Sequence, residues 1–257
     1  YTTQKKFKIK SLLKKKTIRL LIPFLLIGLF YLIPIRFIAN YPPYESTSLI
    51  RIIYSFLTVN DCGHLWFLPT LLGIFIIATV LIRMTKSKQS TLICIVLMLY
   101  ILSPYLSSFL LITSTKYLFF FFMGYFINQY GKQIFSIKAI YHGLATLGIL
   151  LIAYVLIFHN ENRVVTTFTS ITIIASLYYF MPHRTNRFIL WLDKNRFGIY
   201  LFHSPLMYII MNKFSIIAPP AILVPMNLIF GIGGSLIITY FLRAIKCSFV
   251  IGEKNDR

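Results

Sequence analysis

The 257-residue chain predicts an all-α fold, a polytopic transmembrane helix bundle of about eight spans. Three observations carry that reading. Hydrophobic residues make up 58% of the chain, mean hydropathy is +0.77 and only 12% of residues are charged, about half the share of a soluble domain. The apolar residues fall in runs of about 20, enough to cross a hydrocarbon core of about 30 Å. The basic residues then segregate to one side of those runs.

The runs place spans at Thr17–Phe37, Leu65–Ile82, Thr91–Tyr105, Tyr117–Tyr130, Ala139–Phe158, Val164–Met181, Phe197–Asn212 and Ala221–Leu242. With both termini cytoplasmic, one face collects 21 of the 26 basic residues, and the other keeps Arg36, Arg51, Lys116, Arg163 and Lys213. The net charge of +20 therefore reports orientation and contact with anionic lipid head groups. It excludes nucleic acid as the natural partner. Residues 1–16 read as a basic cytoplasmic segment, 17–242 as the membrane domain and 243–257 as a cytoplasmic tail.

The first span follows Lys14-Lys15-Lys16 and is too long for the apolar core of a signal peptide. The next loop, about Ile38–His64, is the longest. Tyr41-Pro42-Pro43-Tyr44 opens it as an extended or turning segment. Leu49, Ile52, Ile53, Phe56 and Leu57 then recur at helical spacing, with Arg51, Ser55 and Thr58 off the stripe. This predicts an amphipathic helix, lying in the interface or packed as a lid over the membrane domain.

The second span starts at Leu65. The third and fourth form a hairpin with its turn near Ser107–Thr115, and Lys116 snorkels to the outer interface. The fifth and sixth follow. A second amphipathic stretch, Phe188–Leu192, sits on the cytoplasmic face before the seventh. Within the seventh, Pro205 removes a helix donor, which predicts a kink or break and freed carbonyls that can line a polar cavity. Gly124, Gly143, Gly148, Gly231, Gly233 and Gly234 lie in or beside spans, where small residues let helices approach closely.

The six acidic residues, Glu45, Asp61, Glu161, Asp193, Glu253 and Asp256, all fall in loops or the tail. Ion-coupled transporters usually need an intramembrane carboxylate, so a coupled pump is disfavoured. Paired carboxylates for glycoside chemistry, a P-loop, GxSxG and HExxH are also missing. Cys62, Cys94 and Cys247 lie at different depths without CxxC spacing, which predicts neither a disulfide framework nor a metal site. Histidine, arginine and tyrosine remain as reagents. His159 and His183 read as solvated loop residues, and His142 as a helix-packing donor. His64 and His203 are the candidates for chemistry, because each lies in an aromatic-rich segment at or inside the bilayer edge, where an unpaired imidazole is costly. A structural hydrogen bond to a backbone carbonyl is the competing role for both.

Three segments carry a family resemblance. Gly63-His64-Leu65-Trp66-Phe67-Leu68-Pro69 resembles a motif of the integral-membrane acyltransferase 3 family, which moves acyl groups onto sugar hydroxyls and related acceptors. Phe197-Gly198-Ile199-Tyr200-Leu201-Phe202-His203-Ser204-Pro205 resembles its second mark, although Lys194-Asn195-Arg196 stands where members often carry a small serine. Lys14–Lys16 followed by Arg19 and Pro23 is similar to the entrance of the family's third helix. On that resemblance two helices would precede Tyr1, the first holding an Arg and a His regarded as central to activity.

The resemblance implies an O-acyltransferase that moves an acyl group, acetyl by expectation, from acyl-CoA to a hydroxyl of a cell-surface or lipid-linked glycan in the bacterial plasma membrane. His64 and His203 would support catalysis, with the main base on the absent helix. Trp66, Tyr200 and Arg51 would contact the sugar, and Arg19 and Lys16 the CoA phosphates. The expected partners are the glycan acceptor and membrane lipids. A non-catalytic carrier or flippase-like subunit, or an inactive acyltransferase remnant, is the alternative.

Overall fold

The computed structural model describes residues 9–85, 88–134, 143, 147–152, 154, 163–180 and 186–253. Among the described residues, regular structure is helical throughout, and the chain divides into two compact units, Tyr1–Phe121 with Trp191–Arg257, and Phe122–Leu190. Among the described residues, four helices are long and apolar enough to cross a membrane: Leu13–Ile38, Gly63–Met84, Phe109–Gln129 and Pro220–Ala244. They correspond to the first, second, fourth and eighth of the predicted spans.

The other four predicted spans fare differently. The third coincides with a shorter apolar helix, Gln89–Tyr105, and the sixth with an 18-residue helix, Arg163–Phe180, within which Val165–Ile174 is apolar. The fifth, Ala139–Phe158, lies mostly outside the described residues, as do His142, His159 and His183. The seventh is the second half of one 28-residue helix, Arg187–Phe214, whose first turns carry Asp193, Lys194 and Arg196. Its length suffices for a span, but those charges dilute its apolar character.

The first long helix is built from α1 (Ile9–Ile27), a π turn (Gly28–Leu32) and α2 (Ile33–Ile38). Pro34 has no N–H for the carbonyl four residues back, and the ladder widens just ahead of it. After the short α3 (Pro42–Glu45), α4 (Leu49–Leu57) supplies the amphipathic helix. Its buried stripe is narrower than the sequence pattern: Ile52 and Phe56 are buried, whereas Leu49 and Leu57 are half exposed. The Phe56 ring stacks on Phe24 at 4.6 Å and fills the place a Gly28 Cβ would take. So α4 packs down onto α1 as a cover, while Ile50 and Tyr54 face outward. Gly28→Val is expected to evict Phe56 and cost about 1–3 kcal/mol. Thermal unfolding in detergent reads this, and an unchanged midpoint would show that α4 is not seated there.

A 3₁₀ turn (Gly63–Trp66) leads into α5 (Phe67–Met84), followed by α6 (Gln89–Leu102) and α7 (Phe109–Ile134). The hairpin turn falls at Ser103–Ser108, earlier than the sequence suggested. Thr113 and Thr115 do not break the helix, because their hydroxyls donate to the carbonyls of Phe109 and Leu111 at 2.8 and 2.7 Å. Thr113 also meets Thr70 across the α5–α7 contact at 2.9 Å. Lys116 lies against its neighbour Tyr117, 5.6 Å from the ring centre.

In the second unit, Gly148 packs near Thr172 of α8 (Arg163–Phe180), whereas Gly124 meets nothing within 4 Å. The first unit resumes with α9 (Arg187–Phe214) and α10 (Pro220–Ala244). Gly198, Gly231 and Gly234 bring them together against Thr239, Met207 and Leu206, while Gly233 faces open space. A final 3₁₀ turn (Ser248–Ile251) folds back onto α1, with Ile251 buried in the core.

Candidate active site

Pro205 sits inside α9 without breaking it. It has no N–H to offer the carbonyl of Leu201, four residues back. That carbonyl instead accepts from His64 Nε2 at 3.0 Å. A carbonyl oxygen has no proton to give, so Nε2 carries the hydrogen and Nδ1 keeps its lone pair. His64 Nδ1 is buried and has no partner.

His203 is set the same way by its own helix. Its Nδ1 lies 3.0 Å from the carbonyl of Ile199 and 2.9 Å from that of Tyr200, so Nδ1 is the donor and Nε2 the open acceptor. The two imidazole rings meet edge to face with centroids 5.3 Å apart. Tyr200 completes the clamp: its hydroxyl donates to the His64 backbone carbonyl at 2.6 Å, and its ring lies 5.7 Å from the imidazole. The two motif segments thus converge, and in the neutral tautomers that these bonds select each histidine leaves its other ring nitrogen as the acceptor. Both hydrogen bonds to carbonyls foreseen as a structural role are present, and they are what fixes the tautomers.

Arg36 is the residue that pattern reading missed. Placed by sequence at an outer interface, it is only 2% exposed. Its Nη1 donates to Asp61 Oδ1 at 2.8 Å and to Tyr44 Oη at 3.1 Å. The rings of Tyr41, Tyr44 and Tyr208 lie 4.6, 5.6 and 5.6 Å from the guanidinium. Burial pushes the Tyr44 phenol above its ordinary value, which keeps its oxygen neutral beside the cation. Gly63 is required here twice over. Its φ of +52° disfavours a side chain, and a Cβ would stand 2.7 Å from Arg36 Nη2. The signal in the sequence was the lone Asp61 two residues before Gly63, set against a chain so poor in acids.

Cys62, between Asp61 and Gly63, is buried, and burial pushes its thiol up to about 12. Thiolate forms only as pH approaches that value, so near pH 8 Cys62 should resist a membrane-permeant maleimide in the folded protein and react once SDS unfolds it. Mass spectrometry before and after SDS checks this. Equal labelling of Cys62 in the two states would mean the Arg36 loop is open.

The remaining candidates are more scattered. Trp66 packs against Phe67, Phe109 and Tyr117, and Arg51 is exposed on α4; no described contact joins either to the histidine pair. Lys16 covers the Phe75 ring at 4.7 Å. Arg19 lines a cavity of about 640 Å³ together with Lys15, Lys194, Phe249, Gly252 and Glu253. Glu253 is already neutralised by Arg243, which it binds through both oxygens at 2.9 and 2.6 Å. Arg243 also donates to Asn195 Oδ1 at 2.7 Å. Among the described residues, three cations line this cavity, and its lining carboxylate, Glu253, is already paired with Arg243. From Arg19 a line of contacts runs inward: to the Phe197 ring at 5.9 Å, from Phe197 to Tyr200 at 6.2 Å, and from Tyr200 to His64.

Helices long and apolar enough to cross a membrane, a clamped imidazole pair and a cationic cavity thus fall together in the first compact unit. Residues 1–244 match the model of a family described as an acyltransferase domain. The chain belongs to that acyltransferase 3 family, and membrane acyltransfer is the activity the family suggests. No curated protein and no solved structure matches it.

Proposed function

We propose that the protein is a membrane O-acyltransferase moving an acyl group, by preference acetyl, from acyl-CoA to a hydroxyl of a cell-surface or lipid-linked glycan. The observation that carries this reading is His64 Nδ1, buried without a partner and left as the acceptor because Nε2 donates to Leu201. In the proposed step the acceptor oxygen attacks the thioester carbonyl, forming the ester C–O bond as the C–S bond breaks. Among the described residues His64 Nδ1 is the group set to take the hydroxyl proton and return it to the leaving sulfur, giving free CoA thiol, so this reading moves the base from the helix that the resemblance implies onto His64. His203 Nε2 lies close enough to hold the acceptor or to share the proton. Lys15, Arg19 and Lys194 hold the CoA phosphates in the 640 Å³ cavity, and the ring line through Phe197 and Tyr200 is the path of the flexible pantetheine arm toward His64. The cavity then faces the cytoplasm, in keeping with the side that collects most of the basic residues.

The test uses the whole protein in nanodiscs with acetyl-CoA carrying a labelled acetyl group, supplied with membranes from cells that make the glycan. Label should move into a hydroxylamine-sensitive ester in the glycan or lipid fraction, with equimolar release of free thiol. Thiol release without ester would point to a thioesterase. Neither would leave a non-catalytic carrier as the better account.

A further inference from the structure

Between α9 and α10 runs a groove of about 320 Å³, walled by His203, Met207, Val224, Asn227, Leu228 and Gly231. Val224 and Leu228 are 69% and 61% exposed on a helix able to span a bilayer, so the groove opens toward lipid. A surface that meets only acyl chains has no use for hydrogen-bond acceptors. This groove holds two. Asn227 is more than nine-tenths buried, its Nδ2 donates to Met211 Sδ at 3.1 Å, and its Oδ1 has no partner. His203, on the opposite wall, spends its Nδ1 hydrogen on α9 carbonyls and keeps Nε2 as an acceptor.

An orphaned amide oxygen in hydrocarbon is costly unless a donor arrives. A plain acyl tail brings none; an alcohol does. We propose that the groove binds a lipid-borne hydroxyl, the tail lying along Val224 and Leu228 and the O–H donating to Asn227 Oδ1 or His203 Nε2. The site rests on the acyltransferase reading in one respect: a hydroxyl at His203 is one ring contact from His64, so the bound alcohol is the acceptor, entering sideways from the bilayer. Donor and acceptor would then reach the histidine pair by separate routes, one past Arg19 and one past Asn227.

The experiment photolabels the intact protein in phosphatidylcholine nanodiscs, without acyl donor, using a long-chain alcohol with a diazirine in its tail and the matching alkane. The alcohol should label peptides covering residues 199–207 and 224–232 about fivefold more than the alkane. Asn227→Leu should reduce that preference, and Val224→Trp, which fills the groove from its exposed side, should remove labelling by both probes. Equal labelling by alcohol and alkane, or none, overturns the proposal. So does a disulfide from Val224→Cys to another helix, which would assign the groove to protein. Because labelling needs no turnover, a preference that persists in a preparation without acyl transfer would sink the enzymatic reading alone. Transfer to glycan with no labelling preference would sink the groove alone.

Discussion

His64→Ala in the intact protein is expected to lower acyl transfer by roughly a hundredfold or more while leaving membrane insertion unchanged. The magnitude is that of a lost general base. Its structural side is a loss of about 1–3 kcal/mol, because the Leu201 carbonyl is left without a donor, while the backbone carbonyl of residue 64 still accepts from Tyr200; transfer is therefore measured on the folded fraction. Pro205→Ala separates position from chemistry. It restores an N–H in α9 that competes for the Leu201 carbonyl, so the imidazole keeps its reactivity but loses its anchor. A loss of around tenfold, read as kcat with KM for acyl-CoA held, is the expected signature. If both variants transfer label at the wild-type rate, the histidine pair is structural and the base lies elsewhere.

The two histidines illustrate what could be read from the chain beforehand. His64 and His203 were visible as ionisable groups in apolar, aromatic segments, since the cost of burying an unpaired imidazole makes such residues conspicuous. The effect of Pro205 was half legible. A missing donor was certain from the residue type, and a freed carbonyl followed. That α9 would stay continuous, and that the carbonyl would capture a side chain 137 positions away, needed the fold. Span counting suffered from a different limit. Residues 103–115 carry serines and threonines that look like a turn, yet hydroxyls that bond back to helix carbonyls are compatible with either state, and only packing of α7 against α5 decides. Arg36 was least legible. Its charge counted equally well toward topology, and only the convergence of Asp61, Tyr41, Tyr44 and Tyr208 makes it a buried centre.

That centre yields the largest stability effect. Asp61→Ala should cost about 3 kcal/mol, because it leaves a guanidinium that is 2% exposed with neutral tyrosine hydroxyls and ring faces but without its carboxylate. The opposite deletion is gentler. Asp61 is 32% exposed, so in Arg36→Met the orphaned carboxylate can turn to water while the methionine stem fills the space among the tyrosines. Combining Asp61→Ala with Arg36→Met should therefore recover much of the loss, a coupling that independent sites would not show. Denaturation of the nanodisc-held protein measures all three. Asp61→Ala should also loosen the turn at Gly63, since the Arg36 Nη2 sits where that residue's Cβ would be. His64 would then lose its fixed approach to Leu201, and transfer should fall more steeply than the residual folded fraction predicts. A variant as stable and as active as the wild type would mean that the Arg36–Asp61 pair neither holds the loop nor aims the imidazole.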